Sequence, residues 1–299
     1  MMEHRDTFSD YHPLVNFAFF ALVIGFAMFV MHPAFLLVSL ASAWLYHLRL
    51  RGRSSALKAA AGMVPFVLVA TVINLLFNHE GATILLYLPT GNPLTLESIV
   101  YGAAAASMLL SVILWFACFN AVITSDKFVY LFGRIIPALG LVLSMTLRFV
   151  PRFRTQLGIF RQTRQAMYRD AVDRNLLAKI RSGITVVSML VTWSLENAVE
   201  TADSMKSRGY GLKGRSSFSV YSLDKRDGAA LLWLLICGVF VMVGWCFDAF
   251  YWSYFPVVQG GRVDVFLFVS LVFYAALTLT PTVLGVKEGR KWKYIQSRI

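Results

Sequence analysis

The sequence has 299 residues, 58% apolar, 15% charged and 14% aromatic, with a mean hydropathy of +0.63. An average soluble domain is about half apolar and about a quarter charged. Here 28 Lys and Arg with 16 Asp and Glu are too few to cover a soluble globule, and the same composition excludes disorder. The class is a polytopic membrane protein, in which a net charge of +12 marks basic loops on one side, not nucleic acid.

A spanning helix needs about 20 mostly apolar residues. Residues 14–31 form the first candidate. His32-Pro33 breaks the run, and residues 34–48 form a shorter second one. Residues 57–77 and 99–123 follow, then a long polar stretch, then 228–247 and 263–284. These give about six spans. The polar opening and the lack of a small-residue cleavage motif after the first apolar run predict no cleavable signal peptide. Cys118, Cys237 and Cys246 sit within apolar runs, form no CxxC pair and are expected to be small buried hydrophobes. The run of small residues from Gly102 to Ser107 predicts close helix packing, within the bundle or against a partner.

The loops test this parse. Arg5, the group Arg49, Arg51, Arg53 and Lys58, the segment 125–227 and the tail from 286 onwards hold 27 of the 28 basic residues. With six spans all of these fall on one side, and the other keeps only Arg262. The positive-inside rule then places both termini and the central segment in the cytoplasm. The chain divides into an N-terminal membrane region with four spans (1–124), a cytoplasmic region (125–227), and a C-terminal hairpin with a basic tail (228–299). Residues 128–150 are largely apolar, but Arg134, Pro137 and Arg148 leave too short an uninterrupted run to span. They are read as a helix at the interface or buried against other helices.

Within the central region, residues 152–170 place Phe153, Leu157, Phe160 and Met167 on one face of a helix. Arg152, Arg154, Arg161, Arg164 and Arg169 occupy much of the remainder. Such a helix either lies on anionic lipid or docks another protein. A second helix over 183–206 carries Ile184, Val187, Leu190, Val191, Leu195, Ala198 and Ala202 in helical rhythm. Glu196, Glu200 and Asp203 lie along another flank, within reach of Lys206 and Arg208. It ends at Ser207-Arg208-Gly209, where glycine can take the left-handed conformation and Arg208 sits at the negative end of the helix dipole. An ordinary capped helix end explains that pattern, and so does a docking tip.

Three motifs occur in order: His12-Pro13-Leu14, Leu147-Arg148-Phe149-Val150-Pro151 opening the basic helix, and Ser207-Arg208-Gly209-Tyr210 ending the second. From about residue 9 to the tail the chain resembles the transmembrane T component of energy-coupling factor (ECF) transporters, the CbiQ/EcfT family. The resemblance implies an all-α polytopic membrane protein of the prokaryotic cell membrane whose long cytoplasmic insert holds two amphipathic coupling helices arranged as an X. It implies as partners two ABC-type ATPase subunits, which bind ATP and Mg, and a small membrane S component that binds a vitamin or metal ion.

Each coupling helix of the family ends in an Ala-Arg-Gly-like motif whose Arg enters a groove on one ATPase, and the apolar faces hold the S component. On that pattern Ser207, Arg208 and Gly209 form the second tip. The first falls at Ala166-Met167-Tyr168, which keeps the alanine and loses Arg and Gly, so that Arg164 or Arg169 would supply the charge. The apolar faces comprise Phe153, Leu157, Phe160, Met167, Leu190 and Leu195.

No catalytic, cofactor or metal site is expected in this chain itself. It lacks a GxxxxGK[ST] loop, HExxH and GxSxG, and His4, His12, His32, His47 and His79 are scattered. The GxGxxG match at Gly209, Gly211 and Gly214 follows a helix instead of a strand, and so does not suit a dinucleotide. The spans hold almost no ionisable residue, against a proton-driven path. Two other readings stand beside the coupling scaffold: a self-sufficient permease with its insert on the membrane surface, and a membrane enzyme acting on lipid phosphates.

Overall fold

In a computed structural model of the chain, the residues described are 6–87, 93–135, 137–167, 176–210, 212, 221–261 and 264–296. They hold eight α-helices and two small two-stranded ribbons, and they fall into two units, residues 1–124 with 221–299 and residues 125–220. The class is all-α and multi-pass.

In the first unit the helices are α1 (Pro13–Phe29), α2 (Pro33–Phe77), α3 (Leu96–Val122), α7 (Lys225–Cys246) and α8 (Val265–Gln296). Four of them, α2, α3, α7 and α8, are long and apolar enough to cross a membrane, and α1 is a shorter apolar helix. The helix α2 is two legs joined at Gly52, whose φ of 79° and ψ of 171° break the helical path. Contacts with α3 show that the chain reverses there. Ser39 meets Ser111 at 2.5 Å and Cys118 lies 4.0 Å from the Ala43 carbonyl, so the first leg runs parallel to α3. Yet a Cβ on Gly102 would sit 3.2 Å from the Cα of Thr71. A straight helix would carry Thr71 about 40 Å beyond Cys118, in the opposite direction. The bundle thus has six apolar legs, as the hydropathy requires, and the run from Gly102 packs inside it.

The same contacts assign every leg to an end. Tyr46 of the first α2 leg donates to Asp6 at 2.7 Å, and Phe19 of α1 meets Trp115 at 5.8 Å. The backbone N–H of His12 donates to Asp227 at 3.2 Å, and Arg49 donates to the Thr282 carbonyl at 2.7 Å. The residues around Asp6, Gly52, Val122, Asp227 and Thr282 therefore share one end. At the other, Tyr254 donates to the Met31 carbonyl at 2.7 Å, beside the ribbon β1 (Ile84–Tyr87) with β2 (Pro93–Thr95) and the ribbon β3 (Trp252–Ser253) with β4 (Gln259–Gly260). The basic segments around Arg49 and Lys287 lie at the first end.

The His-Pro pairs have a local cause. His12 caps α1 by accepting the N–H of Leu14 at 3.2 Å, with Pro13 at the first helical position, where its missing N–H is harmless. His32-Pro33 repeats the device at the start of α2. His12 also reaches Asp227, whose carboxylate closes the capping box of α7 with Asp224. The motif thus ties the starts of α1 and α7 together. An aromatic core of Phe8, Phe19, Phe20, Tyr46 and Trp115 packs edge to face beside them. The cysteines divide: Cys118 and Cys237 are buried, whereas Cys246, expected to be buried, is exposed because it is the last residue of α7.

Asp6 makes this end pH-sensitive. Burial pushes its carboxyl above the ordinary value, outweighing the hydrogen bonds from Tyr46 and the backbone. Its contribution to stability is full below the unfolded value of about 3.9 and declines as pH rises through the raised folded one. Asp6→Asn still accepts from Tyr46 and cannot ionise. It should flatten this dependence and match or exceed the wild type in Tm at pH 8. Asp6→Ala strands the Tyr46 hydroxyl and should lose about 1–3 kcal/mol. Thermal unfolding in detergent from about pH 3.5 to about pH 8 checks both, and a lower Tm for Asp6→Asn at pH 8 would contradict the assignment.

Candidate partner-docking helices

The second unit contains α4 (Ser125–Ile135), α5 (Pro137–Met167) and α6 (Leu176–Ser207). Residues 128–150, expected to be one helix, belong to two. The chain folds back between α4 and α5, which approach so closely at Gly133 and Gly140 that a Cβ on Gly140 would overlap the Gly133 backbone. The basic helix begins at Pro137, not beyond Pro151, and keeps Pro151 in its interior. One missing N–H does not end a helix supported on both sides by packing. The second helix begins at Leu176 instead of Gly183, because the segment 176–182 is built of good helix formers that outweigh one interior glycine at about 1 kcal/mol.

α5 and α6 are antiparallel partners. The Phe153 ring meets Trp193 edge-on at 5.8 Å, and Arg164 donates to the Ser182 carbonyl at 3.1 Å. The two pairs lie eleven residues apart on each helix and in opposite order, which fixes the direction. Ala166 and Arg208 therefore lie toward opposite ends of the pair, about 40 Å apart along the helices at 1.5 Å per residue.

The side chains sort by exposure. On α5, Phe153, Leu157, Phe160 and Arg164 are half-buried, while Arg152, Arg154, Arg161, Ala166 and Met167 are exposed. On α6, Val186 is buried and Leu190 half-buried. The opposite face is an apolar stripe of Leu177, Ile180, Ile184, Val187, Val191 and Leu195, all more than half exposed, continuing through Ala198 to Ala202. It is about 38 Å long. The six residues assigned to the partner-binding faces thus separate: Met167 and Leu195 are free for a partner, and Phe153, Leu157, Phe160 and Leu190 lie on the half-buried faces. Leu177 and Ile180 extend the stripe beyond the sequence assignment, which started the helix too late.

The end of α6 is a complete glycine cap. The N–H of Tyr210 donates to the Met205 carbonyl at 3.0 Å and that of Gly209 to Lys206 at 3.0 Å, the paired bonds of a Schellman motif. Gly209 has a φ of 79°, a conformation disfavoured for any residue with a Cβ. Ser207 adds a bond from its hydroxyl to the Ser204 carbonyl at 2.9 Å. Arg208 is exposed, and its side chain makes no hydrogen bond or ion pair among the described residues. Glu196, Glu200 and Asp203, which the sequence places within reach of Lys206 and Arg208, are likewise exposed and form no ion pair with them among the described residues. At the other tip, Arg164 is engaged with Ser182, and Tyr168 and Arg169 lie outside the described residues.

A bundle of apolar legs interrupted by an antiparallel helix pair, with an open apolar stripe and, at a capped tip, an arginine whose side chain makes no bond among the described residues, is the layout of a multi-pass membrane protein. The comparisons agree. The chain is similar to the energy-coupling factor transporter transmembrane protein EcfT of Lactococcus lactis subsp. cremoris (strain MG1363), 31% identical over 106 residues, covering 35% of this chain and 40% of that protein. It is 31% identical over 104 residues to that of Streptococcus equi subsp. equi (strain 4047), covering 34% and 39%. It is 30% identical over 102 residues to that of Streptococcus thermophilus (strain ATCC BAA-250 / LMG 18311), covering 34% and 39%. No family model matches the chain. The match spans about two fifths of the length of these curated relatives. The resemblance to the T components of ECF transporters is thereby shown over about a third of this chain.

Proposed function

We propose that this chain is the transmembrane coupling (T) component of an ATP-driven ECF-type importer in a prokaryotic plasma membrane, with both termini and the α4–α6 unit in the cytoplasm. The observation that carries the reading is Arg208, presented exposed and, among the described residues, unspent on a glycine cap at the end of α6. A guanidinium offers five donors in a rigid fork, suited to a carboxylate in a groove, and the cap lets it pass on a push without melting the helix end. Ser207, Arg208 and Gly209 form one ATPase contact. The other is Ala166 with Arg169, Arg164 bracing the helix pair through Ser182.

Two ABC-type ATPases hold ATP and Mg and hydrolyse the nucleotide, and this chain does not. A small membrane S component binds the vitamin or metal ion and rests on the α6 stripe. Collection of the basic segments at one end of the bundle supports the cytoplasmic assignment. Proteoliposomes test the reading. The chain alone should neither hydrolyse ATP nor take up a vitamin or divalent cation, whereas the chain with its co-isolated partners should do both. Uptake by the chain alone would instead establish a self-sufficient permease.

A further inference from the structure

At the end of the bundle that carries Asp227 and Thr282, a cavity of about 560 Å³ opens between α1, α7 and α8. Its walls are apolar, including Val15, Ala230, Leu234, Leu279 and Val283. Val283 and Trp233 are exposed along its side, and the Trp233 indole donates to Thr280 across the groove at 3.3 Å. Arg226 also lines the cavity, seven residues from Trp233 or about 10 Å along α7. Its guanidinium lies 4.1 Å over the buried Tyr11 ring, with the Glu288 carboxylate 3.9 Å away, too far for a hydrogen bond. It is about half exposed, and among the described residues it spends none of its five donors on a hydrogen bond. Lys225 begins α7 beside it, and Lys287, Arg290 and Lys291 lie on the nearby turns of α8, all exposed. The acidic neighbours are fewer: Asp227 is buried and committed to capping, which leaves Glu288, Asp224 at the N-cap of α7 and Asp10 beside Tyr11 against Arg226 and its four basic neighbours.

We propose that this groove is a specific binding site for an anionic phospholipid, with one acyl chain between α7 and α8 and the headgroup phosphate on Arg226. The inference rests on the cytoplasmic assignment of this end, where anionic headgroups are concentrated, and does not require the coupling role. An apolar slot that opens sideways along two spanning helices suits an acyl chain. A cation held over an aromatic ring at the membrane-surface end, with none of its donors hydrogen-bonded among the described residues and four basic neighbours, suits a phosphodiester. Trp233 lies about 10 Å below it, where an indole favours the boundary between headgroup and acyl chain.

The test uses the full chain in lipid-free detergent micelles. Wild type should retain about one phospholipid per chain by native mass spectrometry. Added phosphatidylglycerol should raise its Tm, and phosphatidylcholine with the same acyl chains, or inorganic phosphate, should not. Arg226→Gln should lower phosphatidylglycerol retention at least tenfold. Ala230→Phe, which fills the slot, should do the same from the other end of the lipid. The Tm of each variant without lipid shows that it is folded. A photo-crosslinker at Ala229 should give a lipid-sized adduct. Equal protection by phosphatidylcholine, retention undiminished in Arg226→Gln, or a protein-sized adduct at Ala229 would overturn the proposal. Failure of transport with the lipid site intact would count against the coupling role alone.

Discussion

Arg208→Glu should leave the chain folded in the membrane and reduce ATPase capture at least tenfold. The two halves of that expectation have separate grounds. Arg208 makes no side-chain bond among the described residues, so the fold loses only the favourable interaction of a cation with the α6 C-terminus, about 0.3–1 kcal/mol. A buried, paired arginine at an interface contributes about 2–5 kcal/mol by truncation, and charge reversal adds repulsion to whatever carboxylate faces it. Arg208→Lys keeps the charge and loses the fork, so it should fall between wild type and Glu. Gly209→Val attacks the same tip through the backbone. The left-handed conformation at a φ of 79° costs a residue with a Cβ about 1–2 kcal/mol, which frays the cap and misdirects Arg208. Stoichiometry after affinity isolation reads all three, and undiminished ATPase capture by Arg208→Glu would count strongly against the assignment.

Val191→Asp combined with Leu195→Asp should have the complementary effect: ATPases retained and the small membrane partner lost. Both side chains are more than half exposed on the α6 stripe, on the face away from Trp193 and Ser182, so the substitutions remove nothing that α5 rests on. Full burial of a Val or Leu side chain contributes about 1.5–3 kcal/mol, and a carboxylate forced into an apolar contact costs more. The pair should therefore weaken the membrane partner by about a hundredfold or more. The control is Leu190→Asp, on the half-buried face, which should destabilise the second unit itself. If the stripe variant loses both partners and still unfolds at the wild-type Tm, the division of labour between tip and stripe is wrong.

The two predictions depend on features of different legibility. The Arg208 tip could be read from three letters, because a glycine after the long glycine-free run 184–208 leaves few conformations, and the Schellman bonds at Lys206 and Met205 are the usual result. The six apolar legs were equally open to hydropathy, since burial in lipid acts on composition. The boundaries of α5 and α6 were not. Pro151 looks like a helix end, but packing on either side of it overrides a local preference of a few kcal/mol, and at Gly183 the good helix formers of 176–182 outweigh the one glycine. Nor could periodicity separate Leu190 from Leu195. Both belong to one apolar rhythm, and only the direction of the α5 contact decides which face remains open. His12 is a further case. The sequence showed the motif, but its tie to Asp227 joins residues 215 apart. The lipid groove depends on the same long-range neighbours, since Tyr11, Arg226 and Glu288 meet only once α1, α7 and α8 are assembled.

The most direct test of the coupling role is isolation of a tagged copy from its native membrane in mild detergent. Partners would be identified by mass spectrometry, and ATP hydrolysis measured on the same sample. The account predicts two P-loop ATPases and one small hydrophobic protein, with hydrolysis that disappears when the chain is purified free of them. Recovery of the chain alone, repeated after crosslinking in the intact membrane, would contradict it and leave Arg208 as no more than the end of a well-capped helix.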